Sequence, residues 1–402
     1  MYPTHPNEKG GILVLLAVCL TLFFMFLAMA VDYGLIFLAK SELQAAADSA
    51  ALAGAAQLAD EDYLVGTPNL DNDLTAARDY SEEFAAYNTV IKENLVLERN
   101  EENMENGGIV IGFLDNPMDL QDTLETQNQT HYNTVQVTTR RTTAVNGPIQ
   151  MLLGAFTGLQ EVSVESRASA TLDDRVIGFD APEGETVGIL PFTMYKHAWD
   201  CVYNPSYVQI SELCPAQNGE DHYAYVGGEV IKNQGDRIPE VKLYPNKAGI
   251  CEFPDAPGNF GTVDIGLNNN STDDLCRQIR YGLNHADLRA LDGMVMEQGL
   301  DGKFRKLLQG DTGVSNAVKE ALEAIKGKPR VLPVYDSLSN PGNNCIYEIV
   351  GFVGVRVMDV KMTGALADRH VVVQPCFVTD SRAIIHPDAP HSNFVFSLSL
   401  TR

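Results

Sequence analysis

The sequence predicts an α+β protein in three parts: a transmembrane and stalk helix over residues 1–59, a small α+β domain with an antiparallel sheet over 60–180, and a β-rich, disulfide-bonded domain over 181–402. Three observations carry this reading. Gly10–Val31 holds no charged residue and runs unbroken into a second stretch of helical spacing. Segments alternating apolar and polar residues begin near residue 109. Six of the seven cysteines lie beyond residue 200.

The first element is the plainest. A bilayer core needs about 20 apolar residues in a helix, and GGILVLLAVCLTLFFMFLAMAV supplies them. A secretory signal is the alternative, with Ala28-Met29-Ala30 as a small-x-small cleavage site and a binding protein released after Ala30. Signal cores run about 7–15 residues behind a basic start. This run is longer, and Lys9 is opposed by Glu8, so a retained anchor is expected. Asp32 marks the membrane exit. Beyond it, Leu35, Ala39, Leu43, Ala46, Ala50 and Ala53 form one stripe, and Lys40, Gln44 and Asp48 form a polar face. Ala46, Ala50 and Gly54 sit on successive turns. Small residues there admit another backbone closely and make a helix-packing site, although alanine is also simply the best helix former.

The string AVDYGLIFLAKSELQAAADSAALAGA behind a Gly-led apolar span resembles the N-terminal module of TadG/TadE-like proteins of the bacterial tight-adherence (Flp pilus) system. The residues that carry the resemblance are Ala30, Val31, Asp32, Gly34, Leu38, Ala39, Leu43, Gln44, Ala46, Ala47, Asp48, Ala50, Ala51, Leu52, Ala53, Gly54 and Ala55. It covers roughly the first 60 residues. It implies a single-pass protein of the inner membrane with an extracytoplasmic, periplasmic body. It also implies pilus-assembly or envelope proteins as partners, met through the stalk helix. A long helix followed by a small antiparallel sheet is similar to pilin-like architecture. Two departures stand out. Counting five residues from Gly11 or Ile12 reaches Leu15 or Leu16, where prepilin processing expects Glu. The DxSxS metal motif of many TadG relatives has as its nearest string Asp336-Ser337-Leu338-Ser339, without Ser at the third place. Gly261–Gly266 and Arg277–Asn284 with the Pro341–Asn344 string resemble C-terminal regions of larger TadG-like proteins.

The net charge of −24, from 29 basic and 53 acidic residues, argues against binding nucleic acid or anionic lipid, both of which demand basic patches. The membrane is therefore met through the apolar span, and no nucleic-acid partner is expected. Cys19 lies in that span. Cys201, Cys214, Cys251, Cys276, Cys345 and Cys376 are an even set, which reads as three disulfides in an exported body. Nearest-neighbour pairing gives Cys201–Cys214, Cys251–Cys276 and Cys345–Cys376. Zinc is the competing reading, and no CxxC spacing supports it. The cysteines and a small excess of positive charge before the span place the body outside.

Down the chain, an acidic segment over 60–107 contains a helix near Leu74–Asn88. Strands follow at Ile109–Leu114, Thr134–Arg140 and Val162–Leu172, with a short apolar helix over Ile149–Phe156 started by Gly147-Pro148. A boundary falls near Asp180–Gly184. The last part reads as strands at Val187–Phe192, Tyr223–Val230, Glu240–Tyr244, Gly261–Ile265, Arg330–Val334, Ile346–Val350, Val353–Thr363 and His370–Phe377. Its helices are Thr272–Tyr281 and Val314–Ile325, the second capped by Asp311 or Thr312 and stopped by Gly327.

Motifs for familiar chemistry are missing: no GxSxG, HExxH, P-loop or GxGxxG occurs. His386, Asp388 and His391 form the closest histidine grouping, read first as an exposed loop and second as a metal site. Asp287 reads as a helix cap, and Asn268–Asp274 as a turn with an N-cap. Trp199 is expected in an aromatic cluster with Phe192, Tyr195 and Tyr203. No cofactor is expected. The leading reading is a structural or assembly protein, with an anchored hydrolase working through carboxylates as the alternative.

Overall fold

A computed structural model describes residues 9–66, 69–119, 121–127, 131–154, 158–203, 221–244, 261–266, 271–310, 317–340, 345–364, 369–392 and 394–401. The apolar span and the stalk are one helix, α1 (Lys9–Ala56), 48 residues long and so about 72 Å at 1.5 Å per residue. It contains no proline, and its alanine-rich second half has the highest helix propensity available. A second helix, α2 (Leu70–Ala86), starts where Asn69 Oδ1 accepts the Asn72 amide. It lies against the second half of α1.

The first sheet is antiparallel through β1 (Ile109–Gly112), β2 (Thr134–Arg141) and β5 (Val164–Asp173). Between them, β3 (Ile149–Gln150) and β4 (Glu161–Val162) pair as a short hairpin. The helix expected over Ile149–Phe156 is therefore replaced by a hairpin, with residues 155–157 outside the described set. The reason is a period of two: Ile149 and Met151 are buried, while Gln150 and Leu152 are exposed, and the Met151 amide bonds across to Gln160 O at 2.9 Å. Ala77 and Ala85 of α2, Ile109 and Ile111 of β1, Val135 and Val137 of β2, and Ala168 and Ala170 of β5 form one core with Ala39–Leu58 of the stalk.

The second sheet has seven strands. They are β6 (Met194–Tyr195), which leads into α3 (Lys196–Tyr203), β7 (Val241–Tyr244), β8 (Glu297–Gln298), β9 (Phe304–Gln309), β10 (Pro329–Ser339), β11 (Ile346–Lys361) and β12 (His370–Pro375). The centre is β11, with β10 along one edge and β9 and β12 sharing the other. Helices α4 (Thr272–Tyr281) and α5 (Val318–Glu323) cover one face through Ile279, Val318 and Leu322 against Val353, Val355 and Val357. The other face packs Tyr335, Tyr347, Ile349 and Phe352 under Phe179 and Leu288. The two strands expected at Ile346–Val350 and Val353–Thr363 are one. A bulge opposite Val334/Tyr335 inserts one extra residue, which moves the odd-numbered side chains to the opposite face. Asp311 and Thr312 lie outside the described residues. Gly327 sits at φ 75°, a left-handed conformation that glycine adopts freely.

The chain then returns. After β13 (Val378–Thr379), the last strand β14 (Val395–Leu400) pairs with β5 and completes the first sheet as its fourth strand, with β13 beside it as the fifth. The first sheet thus holds both early and final segments of the sequence.

Candidate functional site

The residues singled out in the stalk converge on its docked half. Ala46 and Ala50 are fully buried. A Cβ at Gly54 would meet Ser81 Oγ and lie 2.9 Å from the Ala77 carbonyl oxygen. The small side chains bring α1 onto α2 and the sheet of its own chain. Backbone carbonyls of α1 are tied in as well. Ser81 Oγ donates to Ala50 O at 3.0 Å and Thr139 Oγ1 to Leu43 O at 2.9 Å. On the polar face, Gln44 Nε2 donates to Asp48 Oδ1 and to Arg167 O. Glu42 accepts the Ile91 amide at 2.7 Å. These bonds fix helix and body as one unit.

Asp32 is 5 % exposed. It faces the body rather than water, and its Oδ1 accepts the Leu153 amide from the hairpin between β3 and β4 at 3.1 Å. On the opposite side of α1, exposed apolar side chains continue from Ile12 past Asp32 to Tyr33, Phe37 and Leu38, and the first exposed charge is Lys40. Only 6 % of the most apolar 18-residue window of this helix is buried. A core helix would show the reverse.

One buried ion pair joins the end of the stalk to the second sheet. The Arg356 guanidinium on β11 grips both oxygens of Glu61 and lies 3.9 Å over the Tyr225 ring. Arg356 is 3 % exposed. On α2, beside the turn that carries Glu61, burial and the Asp60 carboxyl of that turn push Asp73 up to about 7. On the outer side of the second sheet, Asp359 accepts from Tyr223, Lys232, Lys326 and His370 at 2.9–3.2 Å. Burial opposes ionisation there, but the four donors hold its carboxyl well below the usual range.

A cleft of about 380 Å³ opens beside the first sheet, lined by Tyr63, Phe113, Tyr132, Phe377, Phe394 and Phe396 among others. His391 Nδ1 lies 2.7 Å from Asp174 Oδ1 at its rim. His386 instead sits against the Phe304 ring, 4.0 Å from Asp388. The His386, Asp388, His391 grouping therefore does not converge. Among the described residues no group of three His, Cys, Asp or Glu side chains could hold a metal ion. Asp287 forms a capping box with Asn284, and Ser271 caps α4. Trp199 packs on Tyr203 at 4.3 Å, whereas Tyr195 packs on Tyr335.

The cysteine pairing needs correction. Cys276, Cys345 and Cys376 are free thiols, so Cys345–Cys376 does not form and Cys276 is not bonded to Cys251. Cys376 bonds through its amide to Gly354, nine residues up β11 from Cys345 and so about 30 Å away at 3.3 Å per residue. A disulfide spans Cα atoms about 4.4–6.8 Å apart. Burial pushes the Cys376 thiol up to about 12 and raises Cys345. Cys276 is half-buried beside Ala317. Cys201 is not among the free thiols, and the expected Cys201–Cys214 pair falls on Cys214, outside the described residues, as is Cys251. Among the described residues no disulfide joins two cysteines.

Sequence reasoning missed the Glu61–Arg356 pair, because its partners stand 295 residues apart and neither lies in a motif. It also missed the contact of Asp32 with the hairpin.

No curated protein and no solved structure matches the chain. A family model does. Residues 10–57 match the one described as "Putative Flp pilus-assembly TadE/G-like", and that stretch is α1 to within a residue at each end. The helix that exposes its apolar half and docks its alanine-rich half is the part that matches the Tad family model, and together they fit a membrane-anchored, pilus-related protein.

Proposed function

We propose that this chain is an anchored structural component of a Tad-type pilus or related envelope assembly, with the first half of α1 in the cytoplasmic membrane and the body of residues 33–402 on its extracytoplasmic side. The observation that carries this is the match of residues 10–57 to the Tad family on a helix whose most apolar window is left bare by the body. Around it, a long helix laid across an antiparallel sheet supports a pilin-like organisation of the first body. Ala46, Ala50 and Gly54 are spent inside the fold. A partner in the assembly therefore meets the free face of the stalk at Tyr33, Phe37 and Leu38, which are 51–71 % exposed.

The test is a fusion of alkaline phosphatase after Arg402 in a bacterial host, since that enzyme is active only outside the cytoplasm. Activity that fractionates with membranes, on a chain still carrying residues before Asp32, is the expected result. An inactive fusion would place the body inside, and a mature chain beginning at Val31 would make it a secreted protein. A Phe37→Glu, Leu38→Lys chain that still assembles normally would remove the free face as the contact.

A further inference from the structure

The hairpin between β3 and β4 ends beside the apolar half of α1. Leu152 is 71 % and Leu159 50 % exposed. Leu153 lines a cavity of about 400 Å³ whose other walls are Thr21, Phe24, Met25, Leu27 and Ala28 of the span. Its backbone is held at that level by the carboxylate of Asp32. Residues 142–160 contain no charged side chain in a chain that is 20 % charged overall, so no charge in this hairpin resists leaving water. The next charge, Glu161, accepts from Gln150 at the hairpin's base.

The level of the tip follows from α1. The first exposed charge after the apolar span is Lys40, and Leu153 sits beside Ala28 and Asp32, eight to twelve residues earlier. At 1.5 Å per residue that is about 12–18 Å toward the apolar end. If the helix lies in a bilayer, Leu153 lies in it too. Amphipathic elements typically seat their apolar side about 5–10 Å into the boundary of headgroups and acyl chains.

We propose that Leu152, Leu153 and Leu159 form a second membrane contact, inserted among lipid acyl chains alongside the span. The proposal rests on the membrane-anchor reading above. Its consequence is geometric. A single helix can tilt in the bilayer together with the body fixed to it, whereas a helix and an adjacent loop define two contacts and fix which side of the body faces the membrane.

The experiment uses the full chain in phosphatidylcholine vesicles with and without brominated acyl chains, which quench tryptophan on contact. Trp199 is buried and supplies a common background. Leu152→Trp and Leu159→Trp are compared with Phe24→Trp on the span and Leu300→Trp on the exposed surface of the body. The proposal expects both hairpin variants to lose emission in brominated vesicles as Phe24→Trp does, and Leu300→Trp to lose none. Hairpin variants that behave like Leu300→Trp while Phe24→Trp is quenched would overturn it and leave the anchor standing. An unquenched Phe24→Trp would overturn the anchor and the hairpin contact together. Hairpin emission that is blue-shifted but unquenched would mean that protein, such as a second copy, covers the tip, and would also refute lipid insertion.

Discussion

The two halves of α1 use apolar residues for opposite purposes. From Ile12 to Met29 the side chains are large, and almost all are exposed. From Ala39 to Leu58 they are mostly alanine, and those facing the body are fully buried. Leucine and phenylalanine maximise the apolar area offered to a lipid-like solvent, at roughly 25 cal/mol per Å². Alanine offers little area, but it lets backbones approach until hydrogen bonds such as Ser81 Oγ to Ala50 O can form. Hydrophobicity alone would rank the first half as the better core. Burial shows that the second half is the core.

The comparison breaks most visibly at Gly54. A Cβ there meets Ser81 and a backbone carbonyl of α2, which cannot rotate away. Overpacking typically costs about 1–3 kcal/mol and occasionally more, and the backbone contact puts Gly54→Leu at the upper end. The expected outcome is a large fall in the melting temperature of the full chain in detergent, with a smaller fall for Ala50→Leu. Melting temperatures unchanged in both would mean that α1 is not packed on α2.

The second effect concerns where the docked half ends. Glu61→Gln leaves the Arg356 guanidinium buried with a neutral partner. Breaking a fully buried pair costs about 3–5 kcal/mol. The Glu61 side chain is 34 % exposed, so a loss of about 2 kcal/mol is expected. Replacing both residues, Glu61→Leu with Arg356→Met, should cost less than Glu61→Gln alone. A double variant less stable than the single one would show that the pair does more than neutralise a buried charge.

A third effect is pH-dependent. Asp73 and Glu240 are both pushed up to about 7, chiefly by burial. A carboxyl raised in the folded state binds more protons than in the unfolded chain between its two pKa values. Its contribution is therefore present at low pH and is lost as pH rises from about 4 through about 7. Asp359 and Asp301 work the other way, being held low by their donors, and their contribution disappears as pH falls below the usual carboxylate range. The body should be most stable in mildly acid solution. Asp73→Asn should narrow the difference in melting temperature between pH 5 and pH 8. An unchanged difference would exclude Asp73 as a source of the pH dependence.

How much of this was legible in the sequence depends on the distance over which each feature is encoded. α1 and α4 were readable, because composition, caps and spacing are local. α2 was placed within four residues at its start. The alternation of β2 and β5 was equally plain. The Ile149–Met151 segment misled because its apolar residues serve two surfaces, the core and the hairpin's outer side. β11 read as two strands because its bulge resets the alternation between Ile349 and Phe352. The partner of the alanine stripe could not be read at all. Small residues announce that something comes close, but whether it is a second protein or α2 is decided by the return of the chain. The Cys345–Cys376 pairing failed for a related reason: even number and neighbouring order say nothing of the strand length between those two cysteines.

The smallest expected effect is the sharpest test of the comparison. Leu16, Phe23 and Phe26 are 60–70 % exposed, so truncating them removes no contact from the body. Leu16→Ala, Phe23→Ala or Phe26→Ala should leave the melting temperature of the body in detergent within the ±0.5 kcal/mol typical of surface changes. In a core, Leu→Ala or Phe→Ala costs about 2–5 kcal/mol. The same variants, combined, should weaken retention in the membrane fraction, because each removes apolar area from the half of α1 that the body leaves bare. A triple variant that stays fully membrane-bound yet melts several degrees lower would invert the assignment. The bare half of α1 would then be packed against the body or against a second copy, and the docked half would no longer be the special one.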